Sequence, residues 1–363
     1  MKKRINTNLV IAAAVSVCIY SCKKTNTTPS SPTYNISQTN LVADAASFNP
    51  AQVDANLVNA WGLAANPTGI IWASSNKKSV STVYDSTGHT VMAPVGIPSS
   101  GAPTGMVFNG SATEFGGNTF IFADESGKIT AWTNGTTATA VGANNLAGYT
   151  GLTIGNGVGA DFLLAANFKE GKVDIYDNSF NYVPANPFVD TTMAAGFSPF
   201  NVQNIGGMIY VTYAKHSAGG SITDAPAPGN GYVNIFKPDG TFVKRFASNG
   251  TLNSPWGITL APAGFAAVGQ TILVGNFGDG RINIFDLNGN HIGQLQKDGS
   301  PVVIDGLWAL SFLKATPSAT SKLYFTAGPG GEAHGILGYL QSNFTATTGS
   351  TGGSTNPPVY PGY

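Results

Sequence analysis

Apolar residues alternate with polar ones along most of the chain, and clusters rich in glycine, asparagine and aspartate separate the alternating stretches. Val173 and Ile175 flank a polar residue, and Ile282 and Ile284 repeat the pattern later in the chain. A period of two places successive side chains on opposite faces of a β-strand. Asp239-Gly240 is one of several Asn or Asp pairs with Gly that signal hairpins. Helical periodicity is absent, so the pattern predicts an all-β chain.

Six segments of the chain repeat one arrangement of strands. Each opens with a turn and an apolar strand, continues with a second strand and a glycine-rich turn, and ends with a third strand. The second residues of the six openings lie 43, 46, 50, 56 and 52 residues apart; they are Trp61, Thr104, Thr150, Phe200, Trp256 and Trp308. Such periods are typical of propeller blades with four strands each. We therefore predict a six-bladed β-propeller over residues 36–340.

Closure of the ring requires one blade to take a strand from the other end of the chain, because an open ring would leave unpaired strand edges. An apolar stretch, residues 36–46, precedes the first opening and has no partner in its own repeat. We predict that residues 39–42 join the sixth blade, whose own strands end near Leu340.

The second half of the repeat carries a recognisable motif. Residues 167–177 and 276–286 both follow the pattern Asn-x-x-x-Gly-Lys/Arg-Val/Ile-x-Ile-Tyr/Phe. This pattern resembles the NHL-type repeat, and the run Leu-Val-Asn-Ala-Trp-Gly-Leu at 57–63 resembles a family of uncharacterised secreted bacterial proteins with that fold. The resemblance covers most of the chain after residue 40. It implies an NHL-like propeller and no particular activity.

Composition agrees with a folded, turn-rich chain. There are 46 Gly and 21 Pro, and 42% of the residues are hydrophobic against 10% charged. A disordered chain is richer in charge and poorer in aromatic and branched residues. The formal net charge is zero, so nothing indicates nucleic acid as a partner.

The N-terminus has the pattern of a secretory signal. Three basic residues precede an apolar run, and Ser21 and Cys22 follow it. Ile19-Tyr20-Ser21-Cys22 resembles a bacterial lipobox, in which Cys22 becomes the lipidated first residue. A plain secretion signal and an uncleaved anchor are the alternatives. The resemblance implies a bacterial cell-envelope protein, periplasmic or surface-facing, with the membrane as its partner.

The remaining terminal segments are polar. Residues 22–35 predict a flexible tether, and residues 341–363, rich in Thr, Gly, Ser and Pro, predict a disordered tail. The two cysteines, Cys18 and Cys22, both lie in the signal region, so a mature disulfide is excluded. Loss of residues 1–21 leaves 15 basic and 18 acidic residues.

In a propeller, the openings and the turns between second and third strands meet around one mouth of the channel. The six opening residues would meet Asn76, Asn167, Asn276 and the other turn residues there. Aromatic rings and amides suit a neutral polar ligand such as a sugar. The alternative is structural, with the Trp side chains packed between blades and the Asn or Asp side chains capping their own turns.

An enzyme is the second hypothesis. Related propeller lactonases and lyases are understood to hold a divalent metal at the channel mouth. Glu332 and His334 lie two residues apart in a glycine-rich loop, and Asp124 would face them. Asp124 and Glu332 would supply oxygen ligands for Ca²⁺ or Mg²⁺, while His334 with Glu332 would transfer protons.

The favoured hypothesis is a lipid-anchored scaffold that binds a ligand or another protein. It needs no cofactor, and a glycan or an envelope protein is the expected partner of a monomer. The long insertion at 215–231 stretches the fourth repeat and is a candidate lid or partner contact.

Overall fold

The computed structural model describes residues 35–217, 220–313 and 322–343. The predicted signal segment 1–21 and Cys22 lie outside the described residues. So do residues 22–34 of the predicted tether and residues 344–363 of the predicted tail.

The regular secondary structure of the described chain is almost entirely β-strand. In chain order they are β1 (Ile36–Ala43), β2 (Gln52–Val53), β3 (Ala60–Ala65), β4 (Ile71–Ser75), β5 (Val80–Tyr84), β6 (Thr90–Gly96), β7 (Pro103–Phe108), β8 (Phe120–Asp124), β9 (Lys128–Trp132), β10 (Thr139–Ala143), β11 (Tyr149–Asn156), β12 (Asp161–Asn167), β13 (Lys172–Tyr176), β14 (Tyr182–Val183), β15 (Phe197–Ile205), β16 (Met208–Lys215), β17 (Gly231–Phe236), β18 (Phe242–Ser248), β19 (Pro255–Ala261), β20 (Thr271–Asn276), β21 (Ile282–Phe285), β22 (His291–Gln294), β23 (Gln296–Lys297), β24 (Ser300–Pro301), β25 (Leu307–Phe312), β26 (Lys322–Ala327) and β27 (Ile336–Ser342). Helical segments are single turns, at Ala46–Phe48, Asn76–Lys78, Pro98–Ser100, Glu114–Gly117 and Pro329–Glu332.

The strands form six antiparallel blades, as the repeats predict. Blade 1 is β3–β6, blade 2 is β7–β10, blade 3 is β11–β14, blade 4 is β15–β18 and blade 5 is β19–β22. Blade 6 contains β25, β26, β27 and β1, with the short β2 added in parallel. The first strand of each blade, counted from its opening, is the innermost one. The fold is an all-β six-bladed propeller with four-stranded blades.

The ring closes through the first strand of the chain. β1 pairs antiparallel with β27, so that Thr39 lies opposite Tyr339 and Val42 lies opposite Leu337. The predicted contribution of residues 39–42 to the sixth blade is confirmed. This pairing satisfies the outer edge of β27 with backbone hydrogen bonds.

The apolar core lies between neighbouring blades. One cluster joins Ile121 of blade 2 to Leu163 of blade 3, and another joins Val233 of blade 4 to Val274 of blade 5. Burial of these side chains removes apolar surface from water at each blade contact. Each blade is therefore stabilised by two neighbours.

Glycine after the opening residue lets the innermost strands approach one another. A Cβ atom on Gly62 would lie 2.3 Å from the carbonyl oxygen of Thr104, and one on Gly105 would lie 2.3 Å from the amide nitrogen of Leu152. Atoms at that separation overlap, so a side chain would force the blades apart. The Trp-Gly-Leu run of the first opening therefore reflects close packing around the channel.

The antiparallel order gives the ring two different ends. The upper end carries the starts of the innermost strands and the turns between second and third strands; the lower end carries the other two hairpins of each blade. At the lower end, Asp286 Oδ1 accepts hydrogen bonds from the backbone N–H groups of Asn288 and Asn290, at 2.9 and 2.8 Å. Gly289 has a φ of +96°. These features are typical of an Asx-stabilised hairpin, as the Asn-Gly pair predicts.

No helix among the described residues is long and apolar enough to cross a membrane.

Candidate functional site

Aromatic side chains fill the channel below its upper end. Trp308 lies between two other rings, with its centroid 3.7 Å from that of Trp61 and 4.0 Å from that of Phe277, and both pairs are stacked. We call the cluster the aromatic plug; it comprises Trp61, Phe168, Phe200, Trp256, Phe277 and Trp308. Stacked and edge-on rings stabilise such a cluster beyond the area that they bury.

The plug joins blades that are not neighbours. Trp256 Nε1 in blade 5 donates a hydrogen bond to the carbonyl oxygen of Thr150 in blade 3, at 2.8 Å. Trp308 in blade 6 contacts Phe200 in blade 4, with centroids 5.9 Å apart. Contacts across the ring can form only where the channel is filled, so the plug separates its two ends.

The opening residues predicted to bind a ligand are therefore buried. Trp61 and Trp256 are 4% exposed, and Phe200 and Trp308 are 1% exposed. In the two remaining blades, Thr104 and Thr150 occupy the same position and are fully buried. Thr104 Oγ1 donates to the carbonyl oxygen of Tyr149 at 2.9 Å, which ties blade 2 to blade 3.

Two of the predicted amide residues lie at the ends of second strands and brace their own turns. Asn167 Nδ2 donates to Glu170 Oε2 at 2.7 Å, and its Oδ1 accepts the backbone N–H of Glu170 at 3.1 Å. Asn276 Nδ2 donates to the carbonyl oxygen of Thr251 and to Asp279 Oδ1, at 2.8 and 3.0 Å. Both amides are fully buried. Their hydrogen bonds hold the turns that surround the channel.

Asp124 has the same position in blade 2. Its Oδ1 accepts the backbone N–H groups of Ser126 and Lys128, at 2.8 and 3.0 Å. Its Oδ2 is buried and has no hydrogen-bond partner in the part of the chain that the structure describes. One carboxylate oxygen thus holds the turn, and the other keeps its hydrogen-bonding capacity.

The remaining predicted amide, Asn76, belongs to a polar group above the plug. Asn76 Nδ2 donates to Glu125 Oε1 at 2.8 Å, and Asn59 Nδ2 donates to Asn76 Oδ1 at 3.2 Å and to Glu332 Oε2 at 3.1 Å. Lys77 Nζ lies 3.3 Å from Glu332 Oε2. We call these five residues, Asn59, Asn76, Lys77, Glu125 and Glu332, the channel mouth.

Asn59 connects the mouth to the plug. Its Oδ1 accepts the indole N–H of Trp308 at 2.9 Å, while its Nδ2 faces the two polar partners above. Its φ of +49° lies in the left-handed region, which asparagine tolerates better than most residues. One fully buried side chain therefore links blade 1 to blade 6 at the floor of the mouth.

The electrostatics of the upper end are dominated by carboxylates. Burial raises the pKa of Glu125, and the charges of Glu332 and Asp124 raise it further, against the opposing effects of Asn76 and Lys77. Burial also raises the pKa of Asp224, to which the charge of Glu332 adds. The field of Glu332 thus acts on carboxyl groups from blade 2 and from the insertion in blade 4. Such an environment favours hydrogen-bond donors and positive charge in a ligand.

Glu332 and His334 do not share partners. Glu332 lies in the channel mouth, whereas His334 Nδ1 lies 2.8 Å from Asp44 Oδ2 at the junction between β1 and β27. The His334 ring also contacts Phe48 edge-on, with centroids 5.2 Å apart. No hydrogen bond or ion pair within the described residues joins Asp124, Glu332 and His334 to one another.

Part of the insertion at 215–231 lies beside the upper end. His216 and Asp224 form an isolated antiparallel bridge. His216 Nε2 lies 2.6 Å from Ser198 Oγ, and the ring contacts Phe168 of the plug with centroids 4.2 Å apart. Burial lowers the pKa of His216. The insertion thus brings an imidazole and a carboxyl group to the rim.

Sequence reasoning did not place four residues at the upper end of the channel. They are Asn59, Lys77, Glu125 and Asp224, of which Asp224 belongs to the insertion named as a candidate lid or partner contact. Asn59 and Lys77 are adjacent to residues that the repeats single out, and Glu125 follows Asp124 directly. Adjacency was thus the available signal for three of them, but their meeting with Glu332 depends on ring closure. Asp224 lies in the insertion, for which the repeat offers no template.

No family model matches the chain. An uncharacterized protein of Acanthamoeba polyphaga mimivirus is 32% identical over 313 residues, which are 80% of this chain and 76% of that protein. A second uncharacterized protein of the same virus is 32% identical over 332 residues, 85% of this chain and 84% of that protein.

Solved structures share the fold. A protein of unknown function from Bacteroides thetaiotaomicron matches with a TM-score of 0.57 and 10% identity, over 86% of this chain and 76% of that one. The GH93 α-L-arabinofuranosidase of Fusarium graminearum matches with a TM-score of 0.54 and 11% identity, over 79% of this chain and 93% of that one. A streptogramin B lyase matches with a TM-score of 0.52 and 11% identity, over 85% of this chain and 98% of that one. At these identities the likeness extends to the propeller alone.

The sequence relatives are viral, so they support the uncharacterised propeller family and leave the bacterial source inferred from the N-terminus as a proposal. Each alignment covers more than two thirds of the relative and more than two thirds of this chain. The chain belongs to the family of these two uncharacterized mimivirus proteins.

Proposed function

We propose that the protein is a lipid-anchored propeller of the cell envelope that binds a polar ligand at the channel mouth. The observation that carries this proposal is the hydrogen-bonded polar group of the channel mouth, which lies above the aromatic plug. Asn59 and Asn76 are buried and held by hydrogen bonds, whereas the side chains of Lys77 and Glu332 are 50% and 28% exposed. Fixed amides beside accessible charged groups are typical of ligand sites.

The proposed ligand is a glycan that offers hydroxyl or amine groups. Carboxylates accept hydrogen bonds from hydroxyls and pair with ammonium groups, and amides both donate and accept. Glu125, Asp224 and Glu332 outnumber Lys77, so an anionic glycan would be disfavoured. The buried rings of the plug form the floor of this site rather than an exposed stacking surface.

A glycan array tests the proposal, with the full chain as probe and the Glu332→Gln variant beside it. We expect neutral or amine-bearing glycans to bind, and the variant to lose about tenfold in affinity because a charge-assisted hydrogen bond is replaced by a neutral one. Asp239→Asn, which changes a lower-end hairpin, serves as the matched control and should bind like the parent. Equal binding by all three chains would overturn the assignment of the mouth, and a parent chain that binds no glycan would overturn the glycan as its ligand.

The second candidate is a metal-dependent lyase or lactonase. The raised pKa of Glu125 favours it, because a buried carboxyl group that holds its proton can act as a general acid. Asp124 and Glu332 are the proposed ligands for Ca²⁺ or Mg²⁺, with His334 and Glu332 as proton-transfer groups. Among the described residues, no group of three or more His, Cys, Asp or Glu side chains is arranged to hold a metal ion.

Elemental mass spectrometry of the purified chain, before and after chelation, distinguishes the two candidates. One tightly held metal per chain, and lactone turnover abolished in the His334→Ala variant, would place the enzyme first. A chain without metal, with an unchanged melting temperature after chelation, would eliminate the metal mechanism.

The proposed location in the cell envelope depends on Cys22. Lipidation there would anchor a monomer to the envelope, facing the periplasm or the surface. Metabolic labelling with an alkynyl fatty acid should mark the parent chain, and the Cys22→Ser variant should lose both the label and the membrane fraction. A labelled variant, or an unlabelled parent, would contradict the lipid anchor.

A further inference from the structure

A cavity opens at the lower end of the ring, on the opposite side of the plug from the channel mouth. It measures about 350 Å³ and lies between the inner strands of blades 4, 5 and 6. Its volume falls within the range of about 300–1,000 Å³ that is typical of small-molecule sites. None of the described residues that line it carries a charge. We call it the lower cavity.

The lower cavity adjoins the lower part of the channel. A smaller cavity of about 70 Å³ lies on the ring axis, with Trp256 of the plug in its wall. Gln203, Thr259 and Ser311 line both spaces. These three residues therefore form a polar border between the axis and the gap between blades.

The repeat shows that this border is not required by the fold. Three residues after the opening residue, blades 4, 5 and 6 carry Gln203, Thr259 and Ser311. Blades 1 and 2 carry Ala64 and Val107 at the same position, and blade 3 carries Thr153, whose Oγ1 accepts the backbone N–H of Asn204 at 3.1 Å. Apolar residues therefore suffice at this position in two blades, and the polar residue of blade 3 is used within the fold.

The polar side chains of the border are available for a ligand. Gln203, Thr259 and Ser311 are half-buried, as is Gln270 across the cavity. Within the described residues, none of these four side chains makes a hydrogen bond, in contrast to the amides of the channel mouth. A half-buried amide or hydroxyl gains by pairing with a ligand group, because it has already lost part of its hydration.

The lower cavity also has an apolar side. Leu260, Pro262 and Phe312 line it together with the polar residues. The carbon face of a ring-shaped polyol can pack against such a surface while its hydroxyls meet amides and hydroxyls. A carboxylate or ammonium group would meet no opposite charge among the described lining residues and would enter at a desolvation cost.

We propose that the lower cavity binds an uncharged, hydroxyl-rich small molecule of the size of a monosaccharide or a cyclic polyol. Gln203 and Gln270 would donate and accept hydrogen bonds, and Thr259 and Ser311 would add hydroxyl groups. Phe312 would cover the less polar face. The site is separate from the channel mouth, because the aromatic plug lies between them.

Saturation-transfer NMR on the full chain tests the proposal, with glucose, galactose, mannose and myo-inositol as probes. We expect at least one probe to bind, and the Gln203→Leu variant to bind it about tenfold more weakly because the amide is replaced by a side chain of similar size. Ser311→Phe should fill the cavity and abolish binding. Ala64→Ser, which changes the same repeat position in blade 1, is the matched control and should leave binding unchanged.

Melting temperatures show whether each variant is folded. If Ser311→Phe does not fold, the Gln203→Leu variant still tests the proposal. The Glu332→Gln variant distinguishes this site from the channel mouth, since it should leave binding of these probes unchanged. The proposal is overturned if no probe binds, if Gln203→Leu binds as tightly as the parent, if Glu332→Gln abolishes binding, or if glucuronate binds as tightly as glucose.

Discussion

The two ends of the channel are built on the same innermost strands but use their polar groups differently. At the upper end, Asn59 and Asn76 are buried and bonded to each other and to carboxylates. At the lower end, Gln203 and Ser311 are half-buried, uncharged and without hydrogen bonds in the described chain. The upper amides stabilise the ring, and the carboxylates bonded to them create an acidic field. The lower polar groups add little to the stability of the ring. A polar side chain on a channel is therefore not in itself a sign of binding.

The plug makes this comparison meaningful, because it keeps the two ends apart. Trp308 is the centre of the plug and contacts rings from blades 1, 4 and 5. Its indole N–H reaches Asn59 of the mouth. Changes to Trp308 should thus affect both ends at once, while changes at either end should stay local.

Trp308→Ala should have the largest effect. Removal of a buried Trp side chain leaves a cavity and typically costs about 3–5 kcal/mol of unfolding free energy. Urea denaturation of the two chains measures the difference. Leu146→Ala is the control, because Leu146 is 69% exposed and its loss should change stability by less than about 0.5 kcal/mol. Similar losses for both variants would contradict the plug as a major source of stability.

Asn59→Ala should have the next largest effect, a loss of about 2–3 kcal/mol in the free energy of unfolding. It leaves the buried Trp308 N–H without its acceptor and places alanine in a left-handed conformation. Asn59→Gly separates the two effects, since glycine tolerates the positive φ but also lacks the acceptor. Denaturation curves should place the glycine variant between the parent and the alanine variant. An alanine variant as stable as the parent would show that the link between plug and mouth is not needed.

Much of the fold follows from local pattern. Alternation in the strands, the Asn-Gly hairpins and the spacing from Trp61 to Trp308 are properties of short segments, and each blade is mainly a local structure. The pairing of residues 39–42 with β27 was also predictable, because an unpaired strand and an open edge had only each other as partners. The termini, with Cys22, remain predictions.

The site was less predictable, because it depends on contacts between distant segments. Asn59 forms hydrogen bonds with Trp308, which lies 249 positions away in the sequence, and with Glu332, which lies 273 positions away. The spacing of Glu332 and His334 suggested a shared site, but the chain turns between them and His334 pairs with Asp44. Likewise, alternation cannot tell whether a Trp faces solvent or the rings of other blades. The direction of these side chains is set by ring closure rather than by local sequence.

A matched pair of serine substitutions compares the two ends directly. Ser75 at the upper end is fully buried, and its Oγ accepts the backbone N–H of Val58 at 2.9 Å. Ser75→Ala should cost about 1–3 kcal/mol, because the substitution removes a fully buried hydroxyl that accepts one backbone hydrogen bond and donates to the carbonyl oxygens of Asn56 and Val58. Ser311→Ala at the lower end should change the unfolding free energy by less than about 0.5 kcal/mol. Thermal or urea unfolding of both variants gives the result, and equal costs would remove the distinction between structural and available polar groups.

The smallest expected effect is a change in how stability depends on pH. Burial, the largest cause, raises the pKa of Glu125 above its usual 4.5, so the folded chain holds a proton that the unfolded chain releases. Stability should therefore fall as pH rises from about 4.5 through the raised value, and Glu125→Gln should remove this part of the slope. At the lower end, hydrogen bonds from Thr241 lower the pKa of Asp239, so its contribution is present above pH 3.8 and is lost as pH falls through the lowered value.

Unfolding free energies measured across the acidic range for the parent, Glu125→Gln and Asp239→Asn would separate the two slopes. Opposite changes are expected, because one carboxyl group is desolvated within an acidic field and the other accepts hydrogen bonds in a hairpin that faces water. If both variants changed the slope in the same direction, burial would not control the titration of Glu125. The contrast between the two ends would then rest on packing alone.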